Sequence, residues 1–187
     1  VAVLGSVNAA LELVAQVAER GWRRPNAIVV PLGTGGTAAG LLVGMWLAGW
    51  KVEICAIRVT DPWYAHRRRV LSLARRTLSV LRELGAAVSV GPASLRVVGD
   101  QLGPGYGHPT PAGEEVQSRM ANAGITVDLT YGAKACAALA TLASSFPVLC
   151  LWHTFDSKLV SLPLQEHFLL RRARGHAEML WPHLKSI

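Results

Sequence analysis

Ala27-Ile28-Val29-Val30-Pro31-Leu32-Gly33-Thr34-Gly35-Gly36-Thr37-Ala38-Ala39-Gly40 runs from a short apolar segment, β-branched at its centre, into a loop of three glycines and two threonines. Pro25-Asn26 before it and Gly33 after it bound the run, which reads as a buried strand. Thr37 to Ala48 then reads as a helix, so the glycines sit at a strand-to-helix junction. Glycines there let the backbone approach a bulky anion, and free amides plus the helix dipole attract it. Thr34 and Thr37 add hydroxyl donors. No lysine follows in the P-loop pattern, which argues against a nucleoside triphosphate. Three readings stay open: a single phosphate monoester, a dinucleotide pyrophosphate, or a turn that only joins strand to helix. Gly33-x-Gly35-x-x-Ala38 fits a Rossmann turn loosely, and Arg58 after the next strand suits a 2′-phosphate better than a ribose.

Outward from this loop, Val1 to Leu4 reads as the end of a strand and Asn8 to Arg20 as a helix stopped by Gly21. Lys51 to Val59 reads as a strand and Trp63 to Leu84 as a long amphipathic helix. In that helix Leu71, Ala74, Leu78 and Leu81 form the apolar face, while Arg68, Arg69, Arg75, Arg76 and Arg82 lie mostly away from it. Ala86 to Val90 is expected to be a short strand, Pro111 to Ala123 and Lys134 to Ser144 helices, and Pro147 to Trp152 a last buried strand. Alternating elements with short apolar strands imply an α/β fold of three layers: a mainly parallel sheet with helices on both faces.

The whole chain supports one compact unit. Its 187 residues are 51% hydrophobic and 17% charged, too rich in aliphatics for disorder. The longest apolar run, Ala38 to Trp50, is broken by glycines and shorter than the roughly 20 residues a bilayer needs, so no membrane partner is expected. A formal charge of +7 favours an anionic ligand. Nucleic acid is not expected, because solvation accounts for the helix arginines and few aromatics interleave with them. The three cysteines, Cys55, Cys136 and Cys150, are far apart among apolar neighbours, which fits buried thiols in a reducing, cytoplasmic compartment and no metal site. The opening at Val1, directly in an apolar stretch, points to a start outside this sequence and leaves a targeting signal open.

Four strings in order extend the argument. The glycine loop is followed by Gly103-Pro104-Gly105-Tyr106-Gly107-His108-Pro109, by Val127-Asp128-Leu129-Thr130-Tyr131-Gly132-Ala133-Lys134-Ala135, and by Leu151-Trp152-His153-Thr154. At this spacing the chain, from about Gly5 to Thr154, resembles the C-terminal portion of the 1-aminocyclopropane-1-carboxylate (ACC) deaminase and D-cysteine desulfhydrase family. These are pyridoxal-phosphate enzymes of the tryptophan-synthase-β-like fold type II. Gly5-Ser6-x-Asn8 is similar to that family's Gly-Gly-Ser-Asn segment. The resemblance implies that Gly33, Thr34, Gly35, Gly36 and Thr37 cradle the phosphate of pyridoxal 5′-phosphate. It also implies that Tyr106 and Tyr131 face a small amino-acid substrate as catalytic residues and that Thr154 sits near the pyridine nitrogen. A hydroxyl there suits α-proton removal followed by β-elimination to a 2-oxo acid and ammonia. His108 and His153 are expected to be structural.

The departures are as informative. The family's Schiff-base lysine lies in an N-terminal segment that has no counterpart here. Lys51 precedes its strand, the wrong edge of the sheet, and Lys134 matches a different family lysine. Enzymatic activity of the chain alone is therefore left undecided, with the missing amine expected from a separately supplied N-terminal half and a homodimer expected of the complete family protein. Gly132 stands where family deaminases tend to carry Glu and desulfhydrases Thr, and Phe155-Asp156 replaces paired glycines. The expected division is a cofactor-binding portion over 1–154 and a tail over 155–187, where Arg171, Arg172 and Arg174 suggest a basic helix. A non-catalytic remnant of the same fold and an NADP-binding Rossmann domain are the rival readings.

Overall fold

In the computed structural model, which describes residues 2–154, α1 (Ala2–Glu19) is followed by β1 (Ala27–Leu32), α2 (Gly36–Leu47), β2 (Glu53–Arg58) and α3 (Arg67–Glu83). Then come β3 (Ser94–Val98), α4 (Pro111–Asn122), α5 (Gly132–Leu142) and β4 (Leu149–Leu151). The proposed tail and its arginines lie outside the described residues.

The strands form one sheet in the order β3-β2-β1-β4, and every pairing is parallel. β1 is registered on β2 from Ala27↔Glu53 to Leu32↔Arg58 and on β4 from Ala27↔Leu149 to Val29↔Leu151. Side chains alternate across a strand, so β1 feeds two cores. Ile28, Val30 and Leu32 join Ile54 and Ala56 under α1, α2 and α3, whereas Ala27 and Val29 join Cys55, Ile57, Ala135 and Leu142 under α5. This is the expected three-layer arrangement. The chain winds away from β1 to β2 and β3, then returns to β4 on the other side, and the order reverses beside β1. Open α/β sheets bind ligands outside the carboxyl ends of strands at such a reversal.

Two strands expected from the sequence are corrected. Val1 to Leu4 is not the end of a strand, because the described residues Ala2 to Leu4 belong to the first turn of α1. The cause is tertiary. A Cβ at Gly40 would stand 2.4 Å from the Ser6 Cβ and one at Gly44 would stand 2.4 Å from the Ala10 Cβ, so α1 and α2 cross almost backbone to backbone. Gly5, Ser6 and Asn8 are accordingly mid-helix. Ala86 to Val90 is not a strand either, and the edge strand is Ser94–Val98. The earlier segment leads to Gly91, where a Cβ would lie 2.7 Å from the Trp46 carbonyl oxygen. The Trp46 indole N–H donates to the Ala93 carbonyl at 2.9 Å, so the chain pairs only after passing the end of α2.

The long helix begins later than Trp63. His66, in extended conformation, caps it by accepting from the Arg69 amide at 3.2 Å, and the preceding residues fold as a turn on the Asp61 carbonyl. Thr110 caps α4 in the same way through the Gly113 amide at 3.1 Å, with Pro111 at the first helical position.

Candidate active site

The glycine loop leaves the carboxyl end of β1 and turns into α2 through Gly35, whose φ of 89° is in the left-handed region open to glycine. The first bond of the helix ladder runs from the Ala39 amide to the Gly35 carbonyl at 2.9 Å. The amides of Gly36, Thr37 and Ala38 thus precede the ladder and point out of the helix end, a ready anion site. No side chain caps this terminus.

The loop lines a cavity of about 570 Å³. All eight residues singled out from the sequence line it: Gly33 to Thr37, Tyr106, Tyr131 and Thr154. Thr154 arrives from the end of β4, across the order reversal from the glycines. Tyr131 lies against the loop, since a Cβ at Gly33 would sit 3.4 Å from its Cε1. The two phenol oxygens are 2.6 Å apart, with the rings edge to face at 6.0 Å. That bond, helped by burial, pushes the Tyr131 phenol up to about 12.

Two ionic residues hold the tyrosines in place, and their roles were not legible beforehand. The Asp128 carboxylate accepts from the amides of Thr130 at 3.0 Å, Tyr131 at 2.7 Å and Gly132 at 2.9 Å, fixing the turn that carries Tyr131 into α5. An acidic side chain just ahead of a helix start was the available signal. Lys134 is fully buried, and its ammonium donates to the carbonyls of Leu102 at 2.8 Å and Gly105 at 3.3 Å, stapling the loop that carries Tyr106. Burial pushes its pKa down.

His153 lines the cavity beside Gly132, whereas His108 does not. No group of three metal-ligating side chains occurs among the described residues. Arg58, weighed as a 2′-phosphate contact, donates through Nε to the Ala65 carbonyl at 2.9 Å and is not part of the cavity wall. Lys51 is exposed ahead of β2, at the opposite edge of the sheet from the cavity. Among the described residues, no lysine lines the site.

Comparison with known proteins shows the family. Residues 1–148 match the family described as pyridoxal-phosphate dependent enzyme. The chain belongs to that family. A D-cysteine desulfhydrase of Salmonella paratyphi C is 32% identical over 137 residues, 73% of this chain and 39% of the relative. A putative 1-aminocyclopropane-1-carboxylate deaminase of Thermotoga maritima is 32% identical over 132 residues, 70% of this chain and 40% of the relative. The chain thus spans about two fifths of the length of these curated relatives. Among solved structures, an ACC deaminase homologue superposes with a TM-score of 0.60 at 25% identity, covering 80% of this chain and 43% of the other. A T.th. threonine deaminase superposes at 0.52 and 21% identity over 84% of this chain and 59% of the other, a likeness of fold.

The donors present fit the cofactor of this family. Gly33, Gly35 and Gly36 line the cavity with no side chain of their own, and the uncapped start of α2 offers amides where a phosphate needs them.

Proposed function

We propose that this chain is the cofactor-phosphate-binding part of a pyridoxal-phosphate lyase acting on a small amino acid, by a D-cysteine-desulfhydrase-like elimination to a 2-oxo acid and ammonia. The observation that carries the reading is the convergence of the glycine cup, both phenols and Thr154 on one cavity at the sheet's order reversal. Residues 1–154 form this cofactor-binding portion.

When bound, pyridoxal phosphate would supply an electron sink, so that the substrate's α-proton could pass to the freed anchor amine and its β-substituent then depart. The chain's own residues bind, orient and move protons around it. Amides of the Gly33 to Thr37 loop and the threonine hydroxyls would hold the phosphate. Thr154, on the β4 side of the cavity, would meet the pyridine nitrogen with a neutral hydroxyl, which would moderate electron withdrawal. The short bond to Tyr106, with burial, keeps the Tyr131 proton in place to high pH. With Tyr131 as the donor in that bond, the Tyr106 O–H would be free to protonate a departing thiolate: the carbon–sulfur bond breaks, sulfur leaves with the electron pair, and the phenol proton goes to it. The covalent anchor amine comes from a segment outside residues 2–154.

The test adds a polypeptide carrying the N-terminal half of a family member to this chain with pyridoxal phosphate and D-cysteine. The reading expects a yellow complex and release of 2-oxo acid and ammonia, with the release lost and the colour kept in Tyr106→Phe. A colourless, inactive mixture overturns it. The lack of a lysine on the described cavity wall favours a second reading, a non-catalytic member that keeps the cup. It expects cofactor binding without turnover in the same mixture.

A further inference from the structure

Arg69 is the arginine of α3 that reaches the glycine cup. Its Nε donates to the Thr34 carbonyl at 3.1 Å, its Nη2 to the Tyr64 hydroxyl at 3.2 Å, and its Cζ lies 4.1 Å from the centre of the Tyr64 ring. The other bonded arginines of the helix point elsewhere: Arg67 donates to the Leu95 carbonyl and Arg82 to the Val88 carbonyl. No carboxylate among the described residues forms an ion pair with Arg69. The His66 cap fixes its backbone through the bond to its amide, and the next residue, Val70, presses on the loop, its Cγ2 lying 3.2 Å from where a Gly35 Cβ would be.

We infer that Arg69 is a positioning residue for the phosphate cup, acting through the Thr34–Gly35 peptide. The inference rests on the proposal that the cup holds a phosphate. A trans peptide carries its C=O and N–H on opposite sides. Holding the Thr34 oxygen on the α3 side therefore turns the Gly35 N–H the other way, toward the cavity that Gly35 lines. The guanidinium also polarises that peptide, making its N–H a stronger donor to an anion. The ligand class served is a phosphate monoester on an aromatic aldehyde, and the device rewards the phosphate end alone.

The test measures binding of pyridoxal 5′-phosphate and of unphosphorylated pyridoxal to the full chain by fluorescence titration. The wild type is expected to prefer the phosphorylated form. Arg69→Met is expected to lose about tenfold of that preference, the order set by a charged hydrogen bond, with pyridoxal binding unchanged. Arg69→Lys, which keeps charge and stem and is expected to melt like wild type, recovers part of it. Arg68→Met, removing an exposed neighbouring charge, loses none. Equal loss for both compounds, equal loss in Arg68→Met, or full preference retained in Arg69→Met with Arg69→Lys unchanged overturns the role of Arg69 and leaves the cup standing. A wild type without preference overturns both the cup and the inference.

Discussion

The hydroxyls of Tyr106 and Tyr131 share one short hydrogen bond of 2.6 Å, although their loops are positioned by opposite charges, a buried ammonium for one and a carboxylate for the other. Each phenol is thereby held by backbone that an ion has fixed.

Tyr106→Phe removes the main cause that raises Tyr131 from 10.0 to about 12. Ultraviolet titration of phenolate should then find Tyr131 ionising closer to 10.0. A folded-state pKa above the unfolded value gives stability that is fully present below the unfolded pKa and disappears as pH climbs through the folded one. The wild type should therefore lose stability relative to Tyr106→Phe between about pH 10 and 12, and urea melts across that window check the sign.

Asp128→Ala leaves three amides without their acceptor and should cost about 1 kcal/mol in a urea melt, the usual worth of a helix cap. Asp128→Asn keeps an oxygen for Thr130 and Tyr131 but turns an amino group toward the Gly132 amide. It should fall between wild type and Ala.

Lys134→Met fills the same buried volume and strands the Leu102 and Gly105 carbonyls. A loss of about 2 kcal/mol is expected, since an acceptor left unpaired costs about 1–3 kcal/mol when buried and these two are only part-buried. Tyr106 should also become mobile, which quenching of tyrosine fluorescence detects.

Gly40→Ala and Gly44→Ala should each cost about 1–3 kcal/mol, because the added methyl meets another Cβ at 2.4 Å and a backbone carbonyl at 2.7 or 2.9 Å. Gly5→Ala, on the opposite partner where nothing lies within 4 Å, should be neutral or slightly stabilising. Chemical denaturation of the three variants separates the cases.

The α/β layering was legible because Ala27 to Leu32 is too short and too β-branched for a helix and is followed at once by glycines. The cup and the tyrosines could be read because glycine-rich strings and isolated tyrosines stand out in an aliphatic chain. What failed depended on neighbours distant in sequence. Four apolar residues at the start fit either a strand or a helix until Gly40 is known to oppose Val3 and Ser6, and Gly44 to oppose Val7 and Ala10. Leu95, Val97 and Val98 pair because β2 lies alongside, whereas Ala86 to Val90 is diverted by Trp46. Asp128, Lys134 and Arg69 act on backbone amides and carbonyls, groups every residue possesses, so the letters alone do not show their targets.

The two walls of the cavity are pegged unequally. The glycine wall grows from a central strand laddered over six residues on one side and three on the other, whereas Trp152 to Thr154 hang from a strand only three residues long that is, among the described residues, at the edge of the sheet. Any loosening of the sheet peels that margin first, so Trp152 to Thr154 would leave the cavity while the glycine loop stayed moored.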